Sequence, residues 1–128
     1  MDTQDYLADL KAKLASSSLV VHIDIIQEYA TPTQGFFRAR LTLCNHDFLE
    51  VAEFFQSRQA RIQTTEYRYQ WMDAERRLLR KRWDNAPHYP NLPNFPDHVH
   101  IGETGSIEPG QVLSILELID LIQQELDA

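Results

Sequence analysis

A single cysteine, Cys44, excludes an internal disulfide and any cysteine-based zinc cluster. That fits a reducing compartment. Cys44 closes an apolar stretch with no cationic neighbour, so it reads as a buried, inert thiol. No apolar run approaches the ~18 residues of a membrane span. The opening residues, Met1-Asp2-Thr3-Gln4-Asp5-Tyr6, lack the basic and apolar regions of a secretory leader. The expectation is a cytoplasmic protein with no membrane partner. The positive excess that favours bulk nucleic-acid binding is also missing, since the net charge is −7. There is no internal repeat and no low-complexity tract.

What is present suits one compact unit over residues 1–128. Hydrophobic residues make up 43% and charged residues 24%, close to the globular average, so a core can form without a staple or structural metal. Charge is unevenly spread. Arg76, Arg77, Arg80, Lys81 and Arg82 fall within seven residues, while acidic residues gather at the two ends and in the last helical stretch. Local sign decides what docks on one face.

Tyr6, Leu7, Leu10 and Leu14 recur at helical spacing over 3–15, with Asp2 or Thr3 as cap. Leu19, Val21, Ile23 and Ile25 alternate along a strand over 19–29. Further strands are predicted around Phe37–Leu43, Phe48–Phe55, Arg61–Trp71 and Leu78–Trp83, with a short one at His98–Ile101. Short turns between them imply an antiparallel meander of five to six strands. Pro109 suits the first position of a C-terminal helix, whose stripe is Val112, Ile115, Leu116, Ile119, Ile122 and Leu126. Leu113, Leu118 and Leu121 widen that stripe, toward the core or toward a second chain. The fold class is α+β, with an N-terminal and a C-terminal helix packed on the sheet.

The stretch from Arg82 to Gly102 is the least ordinary. Prolines stand at 87, 90, 93 and 96, an interval of three that matches the turn of a polyproline II helix. On such a helix His88, Asn91, Asn94 and Asp97 share a polar edge, and Tyr89, Leu92, Phe95 and His98 share a mostly apolar one. Residues 86–97 thus read as an ordered, proline-periodic loop. It is either a rigid connector or a platform for chemistry.

If residues 98–101 are a strand, His98 and His100 point the same way. Such a pair can act as acid and base, or bind a metal. A metal needs a third ligand, with Asp97, His88 and Asp84 as candidates; His98, His100 and Asp97 are the set taken if one binds. Neither a cofactor nor a metal is required by the sequence. Metal-free phosphodiester cleavage needs a base, an acid and a cation, which His98, His100 and Arg82 can provide, with Arg80 or Lys81 in support. Tyr67 and Tyr69 can stack bases, although an aromatic stripe at strand spacing is usually sheet packing. Trp83 reads as core, and His22 and His46 as solvent-facing or structural.

Two runs together resemble the TumE-like family of bacterial proteins. One is Tyr67-Arg68-Tyr69-Gln70-Trp71-Met72-Asp73-Ala74 followed by Leu78-Leu79-Arg80-Lys81-Arg82-Trp83-Asp84-Asn85-Ala86-Pro87-His88. The other is Leu92-Pro93-Asn94-Phe95-Pro96-Asp97-His98-Val99-His100-Ile101-Gly102. The resemblance covers about the second half of the chain. Tyr89 and Asp97 stand where the family pattern carries further histidines, and Arg82, Asp84, Asn85, His88, His98 and His100 match it. The family is described as toxins of toxin–antitoxin modules, so the resemblance implies a bacterial cytoplasmic protein restrained by an antitoxin.

Three functions stay open on the sequence. The first is an RNA-acting toxin, with Arg82, His88, His98 and His100 catalytic and Asp84, Asn85, Arg80, Tyr67 and Tyr69 on the substrate. The second is an interaction module or homodimer using the proline segment and the last helix. The third is a metal-dependent hydrolase.

Overall fold

The computed structural model describes residues 1–128. Asp2 starts the first helix by accepting the Asp5 N–H at 2.7 Å, which satisfies one donor of the open first turn. This helix, α1 (Thr3–Ser16), buries Tyr6, Leu7, Leu10 and Leu14, as their spacing predicts. Seven strands follow: β1 (Val20–Ala30), β2 (Gln34–Leu43), β3 (Phe48–Arg58), β4 (Arg61–Met72), β5 (Leu79–Asp84), β6 (His98–Ile101) and β7 (Ile107–Pro109). Each pairs antiparallel with the next, so the sheet order is the chain order. Helix α2 (Ile115–Asp127) closes the chain. The α+β meander is as expected, with one strand more.

Alternation divides the sheet into two faces. Phe37, Ala39, Leu41 and Leu43 of β2 meet Leu49, Val51 and Phe55 of β3, Tyr67, Tyr69 and Trp71 of β4, and Trp83 of β5 in one core. Both helices cover that face. Leu118 is buried, and Leu113 and Leu121 pack against the same core. These leucines therefore turn toward the core, Leu118 fully and Leu113 and Leu121 in part. The other face carries no helix. Its cross-strand pairs include Arg40 with Glu50, Arg38 with Ala52, Arg68 with Asp84 and Arg82 with His100.

Four expectations are corrected. The last helix does not begin at Pro109. Residues 107–109 form β7 against β6, where a proline is tolerated on an edge. Ser114 is the true cap, and it forms a reciprocal capping box with Glu117. The alternation of β1 is broken by irregularities between Val20 and His22 and between Ile25 and Gln27, leaving Val21, Ile25 and Ile26 exposed on this edge strand. Strand β3 runs on to Arg58, and a two-residue hairpin loop, Gln59-Ala60, returns the chain with both residues at positive φ. Cys44 is exposed rather than buried, because β2 ends at Leu43 and the turn carries the thiol outward.

A carboxyl group is sunk in the middle of the core face. Glu53 is fully buried, and its carboxylate accepts Tyr6 Oη at 2.6 Å, Thr64 Oγ1 at 2.8 Å and the Ile115 backbone N–H at 2.9 Å. One side chain thus joins α1, β3, β4 and the N-terminus of α2, where negative charge is favoured. Burial pushes its pKa above the usual range, while the bonds from Tyr6, Ile115 and Thr64 oppose that rise. A raised native pKa means that its stabilising contribution is full below the ordinary glutamate value of about 4.3 and declines as pH rises through the native value. Urea titrations between pH 4 and 8 are expected to show the native chain losing stability relative to Glu53→Gln as pH rises. Parallel profiles would mean that the native carboxyl titrates normally. Glu53→Ala, which strands three donors, is expected to cost about 3 kcal/mol or more.

Candidate active site

Strand β5 ends with Arg82, Trp83 and Asp84, and β6 begins with His98, Val99 and His100. The register sets Arg82 opposite His100, Trp83 opposite Val99 and Asp84 opposite His98. Trp83 and Val99 belong to the core side, so the other four side chains share the helix-free face. The same-face histidine pair expected from the sequence is present, with ring centroids 4.9 Å apart.

Asp84 is the hub. Its Oδ1 lies 2.9 Å from His98 Nε2, and its Oδ2 lies 3.5 Å from His100 Nε2. Oδ1 also accepts the Ala86 N–H at 3.1 Å, and Oδ2 accepts Arg82 Nε at 3.4 Å. Arg82 Nη2 reaches His100 Nε2 at 3.1 Å. Asp84 and His98 are nearly sealed from solvent, at 8% and 2% side-chain exposure, whereas His100 and Arg82 reach the rim at 15% and 28%. Burial, and then the Arg82 charge, hold the His100 pKa below that of a free histidine, with Asp84 pulling the other way.

The proline segment covers the cluster, but not as a polyproline II strut. It is a chain of turns, closed by Leu92 N–H to Tyr89 O at 3.1 Å, Phe95 N–H to Leu92 O at 3.3 Å and Asp97 N–H to Asn94 O at 3.0 Å. A polyproline helix has no such bonds. The interval of three has another cause. Pro90 and Pro93 each stand second in a turn, where a fixed φ is favoured, and Asn94 takes the positive φ of a type II third position. Pro96 stands third in the last turn, after a cis Phe95–Pro96 bond. Asn94 Nδ2 donates to Gly110 O at 3.0 Å, which ties the turns to the end of β7. Tyr89 is thereby set edge-on to both imidazoles, 4.9 Å from His98 and 5.9 Å from His100.

The last turn also orients His98. Nδ1 lies 2.9 Å from Pro96 O, a carbonyl that can only accept, so the Nδ1 hydrogen is fixed there. The neutral ring then carries its lone pair on Nε2. That atom is buried and makes no hydrogen bond, with Asp84 Oδ1 2.9 Å away.

Beside the cluster runs an open groove of about 620 Å³, lined among others by Phe54, Glu66, Arg68, Arg82, Asp84, His88 and His100. His88 is exposed on its wall. Phe54 packs at a tilt on the buried Phe36, with centroids 4.3 Å apart, and Tyr29 packs 6.0 Å from Phe36, so the exposed Phe54 ring adjoins the groove on an aromatic base.

Several residues expected at the site lie elsewhere. Asp97 precedes His98 and so points to the other side of the strand, where Tyr67 Oη donates to it at 2.7 Å. The carboxylate beside the histidines is Asp84. Arg80 forms a bidentate pair with Asp47 at 2.6 and 3.2 Å, next to the Trp71 Nε1 bond to the same carboxylate. Tyr69 is fully buried and donates to Leu113 O at 2.8 Å, so it has no face free for a base. Tyr67 is 5% exposed and stacks on Tyr69 at 5.2 Å. Asn85 accepts the Tyr67 N–H at 3.1 Å and donates to Thr65 O at 2.9 Å, continuing the β4 ladder past the end of β5. Sequence reasoning missed Tyr89 as a packing partner of the histidines, and Phe54 and Arg68 altogether. Only the alternation of β3 and β4 could have placed the last two on the site face.

The family model described as Toxin TumE matches residues 9–128. The chain belongs to the TumE toxin family. No curated protein and no solved structure matches it. The match reaches well beyond the second half that the motifs suggested. Strands β1–β3 therefore belong to the family fold, and so does the face that carries the TumE-like Arg82-Trp83-Asp84-Asn85 and His98-Val99-His100 motifs. No helix is long and apolar enough to cross a membrane.

Asn85 separates a structural role from a role on the substrate. Asn85→Ala removes two bonds to the β4 backbone, and the expected loss is about 1–3 kcal/mol in urea unfolding. An unchanged midpoint, with function lost, would return Asn85 to the substrate side.

Proposed function

We propose that this TumE family member is a toxin that cleaves RNA in the groove beside Asp84, His98 and His100. The observation that carries the reading is the cluster of two imidazoles and a carboxylate at an arginine-lined groove. Phosphodiester cleavage needs a group that takes the proton of the attacking hydroxyl and a cation for the charge developing on phosphorus. The Asp84–His98–His100 cluster takes the first role. Arg82 and Arg68 take the second, and His88 reaches into the groove from its wall. In this reading O2′ attacks phosphorus, its proton passes to the cluster, the P–O5′ bond breaks, and the departing oxygen takes that proton up from the cluster. A 2′,3′-cyclic phosphate and a free 5′ hydroxyl are left.

The exposed ring of Phe54 at the groove favours a single strand, whose bases are free to stack. The net charge of −7 confines phosphate binding to this groove. An antitoxin that covers the groove would silence the protein, in keeping with the family's role. A dimer through α2 is the weaker reading, since Leu118 is buried and Leu113 and Leu121 pack, half-buried, against the core.

Purified protein is expected to cut single-stranded RNA, and to spare the same strand with 2′-deoxy residues at the cleavage position. His98→Ala/His100→Ala should lower the rate about 100-fold or more, the scale of a lost acid–base pair. Equal cleavage and equal growth inhibition by wild type and double variant would sink the assignment.

A further inference from the structure

We propose that Asp84, His98 and His100 form a binding site for a single divalent first-row metal ion, with Arg82 as a built-in competitor for the same lone pairs. The inference goes beyond RNA cleavage and stands whether or not RNA is the substrate.

Four observations carry it. The three side chains place their ligand atoms within 4.8 Å of one another. Metal–ligand bonds of about 2.0–2.2 Å at tetrahedral or cis-octahedral angles require separations of roughly 3–3.5 Å. The two Asp84 contacts, at 2.9 and 3.5 Å, bracket that range. Next, His98 Nδ1–H is bound to a backbone carbonyl, the second contact that histidine ligands ordinarily make, and it leaves Nε2 free to coordinate. Third, that Nε2 is buried without a hydrogen-bond partner and faces Asp84 Oδ1 at 2.9 Å. A cation between His98 and Asp84 would turn two facing lone pairs from repulsive into binding. Fourth, His100 Nε2 and Asp84 Oδ2 open on the groove, so water or a substrate oxygen can complete the coordination. Two imidazoles and one carboxylate suit zinc, manganese, iron or cobalt rather than calcium or magnesium.

Arg82 now holds the cationic position. Its Nη2 is at His100 Nε2 and its Nε is near Asp84 Oδ2. It sits at the rim on a long side chain, so a metal ion can displace it into the groove. There its guanidinium meets an incoming anion. Metal binding and the release of Arg82 are then one exchange of positive charge, and the local charge balance favours whichever cation binds the lone pairs more tightly.

The test is calorimetric titration of tag-free, chelator-treated protein with Zn²⁺, paired with Co²⁺ absorption spectra. The expected result is one ion per chain, with visible cobalt bands of a nitrogen- and oxygen-ligated site. Asp84→Asn and His100→Ala should each weaken binding by more than the roughly 10–100-fold lost with an outer partner. His98→Gln should do the same, with its fold checked by circular dichroism. Because His100 is at the rim, its variant tests the site even if the His98 variant fails to fold. His88→Ala should bind like wild type. Arg82→Gln, which removes the competitor and no ligand, should bind several-fold more tightly. No binding by wild type, or equal binding by Asp84→Asn and His100→Ala, overturns the proposal. Zinc binding without RNA cleavage would remove the nuclease reading alone. Cleavage by protein that binds no metal would remove the metal site alone.

Discussion

The pairing register between β5 and β6 is the constraint on which the site depends. Four register pairs set Arg82 against His100 and Asp84 against His98, with Trp83 and Val99 pinned to the core between them. A slip of one residue between them would turn His98 and His100 to the helix-covered face while Arg82 and Asp84, held by β4, stayed on the other. Gly102 helps to hold the register. A side chain there would meet the Leu79 carbonyl at 1.6 Å, so only glycine lets β6 end this close to β5.

With the register fixed, electrostatics follow from coverage. The sheet has helices on one face only. The other face is free to carry arginines and carboxylates in cross-strand pairs, such as Arg38 and Arg40 on Glu50. These pairs are partly exposed and contribute little to stability. At Asp84 and His98 the surroundings change, because Tyr89 and the turns around it exclude water. Charges there act through a poorer dielectric than the Arg38–Glu50 pair does, so a cation brought to them is felt more strongly. The core face has its own polar centre in Glu53, which fastens both helices to the sheet that holds the site. Glu53 and Asp84 lie on opposite faces and do different work: one joins elements, and the other gathers polar side chains.

Much of this was legible in the residues. Helix α1, six of the seven strand positions, the core role of Trp83 and the shared face of His98 and His100 follow from local pattern alone. The location of the site at 82–102 follows from the crowding of histidine, arginine and carboxylate there. What periodicity could not distinguish was two structures with the same repeat. A proline every three residues is equally the mark of a polyproline helix and of proline-led turns, and only the hydrogen bonds separate them. Asp97 and Asp84 were equivalent on paper. Strand parity removed the first, and cross-strand pairing, which is non-local, selected the second. The hairpin at Gln59-Ala60 left no sign because neither residue is one that prefers positive φ. The start of α2 did leave a sign, in Ser114 and Glu117, which the proline at 109 outweighed.

The turn that ends at Pro96 presents its carbonyl to His98 and, seven residues earlier in the same segment, sets Tyr89 against the ring's edge. Wall and imidazole therefore form one continuous piece of backbone. Any insertion or substitution that reshapes the groove for a different occupant also shifts the oxygen that decides which ring nitrogen is bare. In this architecture access and reactivity are inherited together. A chain that drifts in one must re-establish the other.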